Sequence, residues 1–409
     1  MGEQTIGLLL RGLREQAGRS QSEQADLLSE LAKRVVTRNE VSRWESERRL
    51  LTPWWQRHYA ATFGVPVEQL RRAVAATKSA RRREHRTEEP VRRREFIGVM
   101  AGFGQPLIDR PASGTRLGAS DLDRLYRHTA RLRRLDDVLG GADTYELYAS
   151  QVRATEFLLS DGTYAESIGS GLQSLLAEHR QMAGWAAFDA GHHARARMHY
   201  KDSLEAAREA KDDALAGNAL AFMAYQETTT QQDGTANARA SHETARSVAT
   251  PRVAALLLER KAFVYAVAGD AQQADLALEQ AREALHREDD RPEPDWVFWV
   301  DEREIDIMAG RCWTELRRPL RAVSVLESVL ADFDDTHGRD KALYLTWLAS
   351  SYLQAREVEQ AAATLARAHD LAAGVASVRP TARITSIAGK LARYRHVPEV
   401  STALEQIGV

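Results

Sequence analysis

The chain is short of cysteine, of long apolar runs and of the motifs that carry common catalysis, and each lack closes a class of function. Cys312 is the one cysteine in 409 residues, so no intramolecular disulfide can form and a cysteine-based zinc cluster is excluded. A reducing cytoplasm fits. No stretch approaches the roughly 18 apolar residues of a membrane helix. No G-x-G-x-x-G follows a strand pattern, and there is neither a P-loop lysine motif nor a G-x-S-x-G nucleophile elbow. His192, His193 and His199 cluster without H-E-x-x-H spacing, in a segment that reads as an inter-helix turn entering a helix. Asp332, Asp334, Asp335 and Asp340 surround Gly338, but that glycine is seventh from Asp332 and no glutamate stands twelfth. A calcium loop needs both. Cys312 reads as a packed residue on an inward helical face. No constellation supports an enzyme, a metal or a cofactor.

What is present is an uneven distribution of charge. The formal net charge is -2, with 56 Lys+Arg against 58 Asp+Glu. Residues 1 to 100 hold 20 basic and 13 acidic residues, a balance of +7, which leaves 36 against 45, or -9, for the remainder. The basic part is therefore the candidate for nucleic acid. Within it, Ser20 with Glu23 and Thr37 with Glu40 each form the S/T-x-x-E capping box, in which hydroxyl and carboxylate satisfy orphan N–H groups at a helix start. The helix opening at Thr37 carries Arg38 and Asn39 in its first turn, side chains able to bond bidentately to guanine and adenine in a major groove. An apolar-periodic helix precedes these two (Ile6, Leu9, Leu10, Leu13). Pro53-Trp54-Trp55 opens a fourth and Val67-Glu68-Gln69-Leu70 a fifth, so residues 1–76 read as a compact helical domain.

These residues resemble the Cro/C1-type (xenobiotic-response-element) family of helix-turn-helix regulators. The likeness is carried by Ser20-Gln21, Val41-Ser42-Arg43-Trp44-Glu45 and Phe63-Gly64-Val65-Pro66. It implies that Gln21, Thr37, Arg38, Asn39 and Arg43 face double-stranded DNA, that Val41 and Trp44 are core, and that Glu45 is a structural acceptor. One departure is visible: Ser20 to Trp44 spans 24 positions, longer than the family pattern, with the extra residues falling within Ser29 to Val36.

Residues 77–118 read as a basic linker, with Arg81-Arg82-Arg83 and Arg92-Arg93-Arg94 bracketing Thr87-Glu88-Glu89-Pro90. The arginines could track phosphates without reading sequence or form a solvated charge run. Arg92 to Met100 looks like a twin-arginine export signal but lies behind a folded domain, and reads as linker entering a short apolar helix.

From residue 119 the pattern is helical and self-similar. Gly184, Ala262, Gly310 and Ala349 are followed twelve positions later by Ala196, Ala274, Ala322 and Ala361, then by Tyr200, Leu278, Leu326 and Leu365, then by Ser203, Ala281, Val329 and Ala368. Small residues let two antiparallel helices approach, and the large one is expected to plug the gap against the neighbouring pair. A weaker copy reads Ala224, Ala236, Ala240, Glu243. Leu159 to Tyr164 reads as another inter-helix turn, and Trp296, Phe298 and Trp299 as the start of a helix, in core or at a dimer surface. The repeat resembles the tetratricopeptide family over roughly residues 140–375, with central-alanine intervals of 40, 38, 48 and 39 rather than the family's usual period of about 34. That resemblance implies a groove lined by the first helix of each pair, with Gln181, Trp185, Asn218, Tyr225, Glu259, Phe263, Glu304 and Arg311 facing a peptide or protein ligand.

The whole chain resembles actinobacterial regulators that join these two modules. The expectation is an all-α, cytoplasmic, homodimeric DNA-binding regulator: a helix-turn-helix bundle followed by a tetratricopeptide-like α-solenoid over residues 119–409. An interaction scaffold whose first domain does not read DNA is the alternative, kept open by the long spacing before Thr37.

Overall fold

The computed structural model describes residues 5–33, 36–47, 50–77, 116–134, 139–333, 338–373 and 375–409. They fall into two compact units, one on each side of a boundary at residues 104/105. Among the described residues every regular element is a helix, apart from an isolated bridge between Arg116 and Thr163. The linker 77–118 lies outside the described residues except at its ends, and so do both arginine triplets and the Arg92–Met100 segment.

The first unit contains α1 (Ile6–Gln16), α2 (Gln21–Ala32), α3 (Arg38–Glu45), α4 (Pro53–Phe63) and α5, helical over residues 67–77. Both capping boxes form: Ser20 accepts from Glu23 N and Thr37 from Glu40 N, while each glutamate accepts from the capping residue's own N–H. Thr52 and Pro53 start α4, and Gly64, at φ 64°, ends it. Ile6, Leu10, Leu28, Val41, Trp44, Tyr59 and Leu70 form the fully buried centre. The unit is tied end to end by Ile6 N, which donates to Thr77 Oγ1 at 2.8 Å.

The second unit is a succession of helix pairs. It comprises α6 (Ala119–Arg133), α7 (Gly141–Asp161), α8 (Glu166–Asp189), α9 (His193–Ala210), α10 (Asp213–Thr229), α11 (Thr235–Ala245), α12 (Pro251–Val267) and α13 (Ala271–Leu285), then a 3-10 turn at Asp295–Val297. After it come α14 (Glu302–Glu315), α15 (Pro319–Ala331), α16 (Gly338–Gln354), α17 (Val358–Ala372), α18 (Val378–Leu391) and α19 (Pro398–Ile407). The first helix, α6, packs on α8; from α7 onward each helix packs on the next, and the even-numbered helices α8 to α18 also touch one another in order. They form an inner layer. Composition follows position: α10 and α12 are Ala- and Leu-rich and buried on nearly every side, while α13, α15 and α17 bury one stripe and keep charges on the other. The turn expected at Leu159–Tyr164 joins α7 to α8, and Gly191 (φ 83°) turns α8 into α9.

The repeated small and large residues interlock, but within a pair rather than between pairs. A Cβ added at Gly184 would lie 2.5 Å from Tyr200 Cε1, and one at Gly310 would lie 2.5 Å from Leu326 Cγ. The large side chain of the second helix thus occupies the Cβ space that its own partner helix gives up. The weaker copy is corrected by two residues: Ala236 is exposed, and α11 buries Ala238, Ser241 and Ala245. Here the close approach is made at Gly217, where a Cβ would meet Ser241 O at 2.8 Å.

The two ends of the inner layer meet. Ala142 N donates to Ala376 O at 3.2 Å, and Arg339 Nη1 donates to Leu139 O at 3.2 Å. Asp189, fully buried at the end of α8, accepts from Gly141 N at 3.0 Å and from Ser377 Oγ at 2.8 Å. The start of α7 and the end of α8 therefore close onto the start of α18.

The interlock predicts a reversal of an ordinary preference. On an open helix face Gly→Ala stabilises by about 1 kcal/mol, whereas Gly310→Ala should destabilise by about 1–3 kcal/mol through overpacking. Leu326→Ala alone should cost about 2–5 kcal/mol, and the double variant should lose less than the sum because the new methyl fills vacated space. Denaturant unfolding of the four proteins measures this, and strict additivity would rule the contact out.

Candidate functional site

Two places bring sequence-selected residues together, one in each unit. In the first, α3 turns Val41, Trp44 and Glu45 inward and leaves Thr37, Arg38, Asn39 and Arg43 exposed. What fixes the helix is Glu45. Its buried carboxylate accepts from Arg14 Nε at 2.5 Å and Arg14 Nη2 at 2.9 Å, a bidentate pair of the strong, planar kind. Gln21 Nε2 adds a third bond to Glu45 Oε2 at 3.0 Å, and Arg14 Nη1 reaches Arg19 O at 2.8 Å. One carboxylate thereby locks α1, α2 and α3. Gln21, selected as a DNA-facing residue, is half-buried with its amide NH₂ committed to Glu45. Thr37 commits its hydroxyl to the cap. Arg38, Asn39 and Arg43 remain as the outward polar set.

In the second unit the inner helices line a half-open cavity of 570 Å³. Six of the eight expected groove residues line it: Gln181 and Trp185 from α8, Asn218 and Tyr225 from α10, and Glu304 and Arg311 from α14. The other two are corrected. Glu259 is fully buried in the wall and Phe263 lies beneath Arg311, whose Cζ stands 4.6 Å from its ring centroid. Gln181 and Asn218 are spent on each other and on the wall: Asn218 Nδ2 donates to Gln181 Oε1 at 2.7 Å, and Gln181 Nε2 donates to Ser203 Oγ and Leu215 O, each at 3.1 Å. Trp296, Phe298 and Trp299 also line the cavity, from and just after a 3-10 turn rather than from a helix start.

The centre of the cavity is a tyrosine held by arginines. Tyr225 Oη accepts from Arg311 Nη2 at 2.8 Å and from Arg379 Nη2 at 2.9 Å, while the guanidinium of Arg260 lies 5.2 Å from its ring centroid. Burial pushes the phenol toward its neutral form, but the charges of Arg311, Arg379 and Arg260 outweigh it and bring its pKa down to about 7. Nearby carboxyls go the other way. Burial raises Glu259 to about 8 although Arg260 Nε stands 3.2 Å from its Oε1, and burial likewise raises Glu304, which accepts from Tyr344 Oη at 3.2 Å. Arg260, Arg339 and Arg379 were not selected from sequence. Arg379 lies beyond the last repeat that the spacing could identify, and Arg260 falls one residue past the position the register points to.

His192 and His193 stand at the α8–α9 turn as read, and His199 is buried against Tyr145. Cys312 is fully buried, and burial raises its thiol pKa, so it packs rather than reacts. Asp334 and Asp335 lie outside the described residues, while Asp332 and Asp340 line the cavity. No helix among the described residues is long and apolar enough to cross a membrane.

No protein-family model matches this chain, and neither a curated protein nor a solved structure matches it.

The environment of Tyr225 predicts a tyrosine that ionises near neutrality. The folded chain releases a phenol proton around pH 7 that the unfolded chain holds until about 10. This group's contribution to stability therefore grows between those values and is lost as pH falls through 7. Tyrosinate absorbance followed against pH should show one early step that Tyr225→Phe removes. An unchanged titration in that variant would refute the assignment.

Proposed function

We propose that this protein is a DNA-binding transcription regulator. Its first unit, read as a helix-turn-helix domain, engages double-stranded DNA through Arg38, Asn39 and Arg43. Its second unit, read as a tetratricopeptide-like array, takes a ligand and joins two copies in the cytoplasm. One observation carries the reading: α3 presents an arginine-asparagine-arginine face to solvent while Val41, Trp44 and the Arg14–Glu45–Gln21 lock hold its other face in the core. A helix fixed in this way can insert as a rigid element into a major groove, where Arg–guanine and Asn–adenine pairs carry sequence information. The +7 balance of residues 1 to 100 supports it through phosphate attraction.

The expected peptide or protein ligand needs one change of form. An extended peptide suits a long groove, but the two ends of the inner layer meet and the chamber measures 570 Å³, so it suits a chain end or a compact molecule. In a dimer, ligand binding changes DNA affinity only if it favours one arrangement of the two reading heads over another.

The test is a salt-titrated gel shift against the gene's own upstream region and against random duplex. Arg38→Ala should lower affinity for the specific site by about 1–3 kcal/mol and leave random-duplex binding nearly unchanged. Equal losses on both would reduce Arg38 to a phosphate contact. No shift of either duplex by the unaltered chain would favour the scaffold reading.

A further inference from the structure

We infer that the chamber of the second unit is a receptor for an organic carboxylate with a flat aromatic body, held by Arg311, Arg379 and Arg260 against Trp185, Phe222 and Trp299. This deepens the ligand-sensing half of the proposed function and rests on it only for its biological meaning, because binding to the chamber can be measured without DNA.

The polar end of such a ligand is called for by unmatched charge. Most carboxylates lining the chamber have local partners: Glu178 pairs with Arg133, Asp340 with Arg339, and Asp301 caps α14 through Glu304 N. Asp332 is exposed. Around Tyr225, by contrast, three guanidinium groups converge. Asp189 sits behind Arg379 at 3.5 Å, already bonded to Gly141 N and Ser377 Oγ. Glu259 and Glu304 are driven by burial toward their neutral forms. Even with Tyr225 ionised, it and Asp189 set two negative charges against three guanidinium groups, and the cluster is left positive. Arg311 is 2 % exposed, and its Nε has no hydrogen-bond partner among the described residues. That Nε is closed off from the chamber, so a carboxylate there would be met by Arg260 and Arg379, whose side chains each keep 14 % exposure, and would supply countercharge to Arg311 without touching its Nε.

The flat end is called for by the walls. Trp185, Phe222 and Trp299 are half-buried with the chamber on their open side. Arginines lie over two of them: the Arg379 Cζ is 4.6 Å from the Trp185 centroid and the Arg260 Cζ 5.6 Å from that of Trp299. Each charge-binding group thus stands beside a ring, and an aromatic acid engages both by stacking and by ion pairing. The volume of 570 Å³ lies within the range of about 300–1,000 Å³ for small-molecule sites. A free aromatic acid and a peptide ending in an aromatic residue share this chemistry.

The experiment uses the full chain and four probes: naphthalene-1-carboxylate, its primary amide, a tripeptide ending in phenylalanine, and the same tripeptide amidated. Tryptophan fluorescence and calorimetry read binding. At least one free acid should bind saturably, with its amide weaker by roughly tenfold or more, and Arg311→Gln or Arg260→Gln should remove most of that difference. Binding of the free naphthoate identifies a small acid as the source, and binding of the tripeptide acid alone identifies a chain end; either supports the proposal. Equal binding of acid and amide, or no binding by any probe, overturns it. The acid–amide contrast is read on the unaltered chain, so a variant that fails to fold leaves the test standing. A chain that shifts DNA but binds no probe loses this proposal alone, and one that binds the acid but no DNA loses only the DNA reading.

Discussion

The second unit depends on one closure, the meeting of residues 139–142 with residues 376–379 around the buried carboxylate of Asp189. It joins the two ends of the layer of even-numbered helices that lines the chamber. The seam is made largely of backbone. Gly140 and Gly141 allow the approach, since a Cβ at Gly140 would stand 2.2 Å from Ala376 O and one at Gly141 2.3 Å from Ala186 O. Gly140 has φ -82°, so steric space is what it contributes, not conformational freedom. Asp189 then joins three elements by accepting from a backbone N–H, a serine hydroxyl and Arg379. A buried carboxylate is tolerated when its lone pairs are met by donors and a countercharge, and this one also orients the guanidinium that reaches Tyr225. Closure and site chemistry share a residue.

The packing beneath is of a different kind. Small-over-large interlocks at Gly184/Tyr200 and Gly310/Leu326 bring paired helices close and make each pair a unit that stacks on the next. Such contacts are apolar and well matched, and they carry stability. The arginine cluster does not. Buried guanidinium groups lose hydration that their partners only partly return, so replacing them with apolar residues of similar volume is often neutral or stabilising. The convergence of three of them on one buried phenol, in a wall that also carries Glu178, Gln181, Asn218 and Glu304, is therefore hard to explain by folding alone. A function that needs a positive interior explains it.

How much of this was legible in the sequence follows from the range of the interactions. Capping boxes at Ser20 and Thr37 act over three residues, and both formed. Core positions such as Ile6 and Leu28 follow from helical period, Val41 and Trp44 from the likeness to helix-turn-helix regulators, and the interlocking glycines and alanines from a pattern that spans nineteen positions within each longer repeat. Six of the eight groove residues implied by the tetratricopeptide resemblance line one chamber. Short-range patterns could not reveal the seam, because Gly140 and Ala376 are brought together only by the accumulated turn of every intervening pair. Arg379 was invisible for that reason: it enters the site from a helix outside the repeat pattern. The copy at Ala236 slipped by two because α11 is short and alanine-rich, so that composition offered several registers and only packing against Gly217 selected one. Trp296 is buried in a 3-10 turn after a loop containing Pro292 and Pro294, and Phe298 and Trp299 follow it half-buried, so none of the three starts a helix.

The long interval between Ser20 and Trp44 is resolved by the same reasoning about range. The extra length goes partly into α2, which reaches Ala32 and ends with Lys33 in the left-handed conformation. The chain then returns to the core at Val36, which is 5 % exposed and whose N–H donates to Ser29 Oγ at 2.8 Å. Ser29 also donates to Ala25 O at 2.8 Å, so the insertion is anchored at both ends before α3 begins. An eight-residue helix is too short to hold its own shape in water, and the orientation of α3 is set by what grips it: Trp44 and Val41 in the core, Glu45 in the fork of Arg14, and Gln21 bridging from α2. A longer connection changes none of those grips. The spacing that departs from the family pattern therefore alters the path into α3 while leaving the outward set of Arg38, Asn39 and Arg43 on a helix fixed by its opposite face.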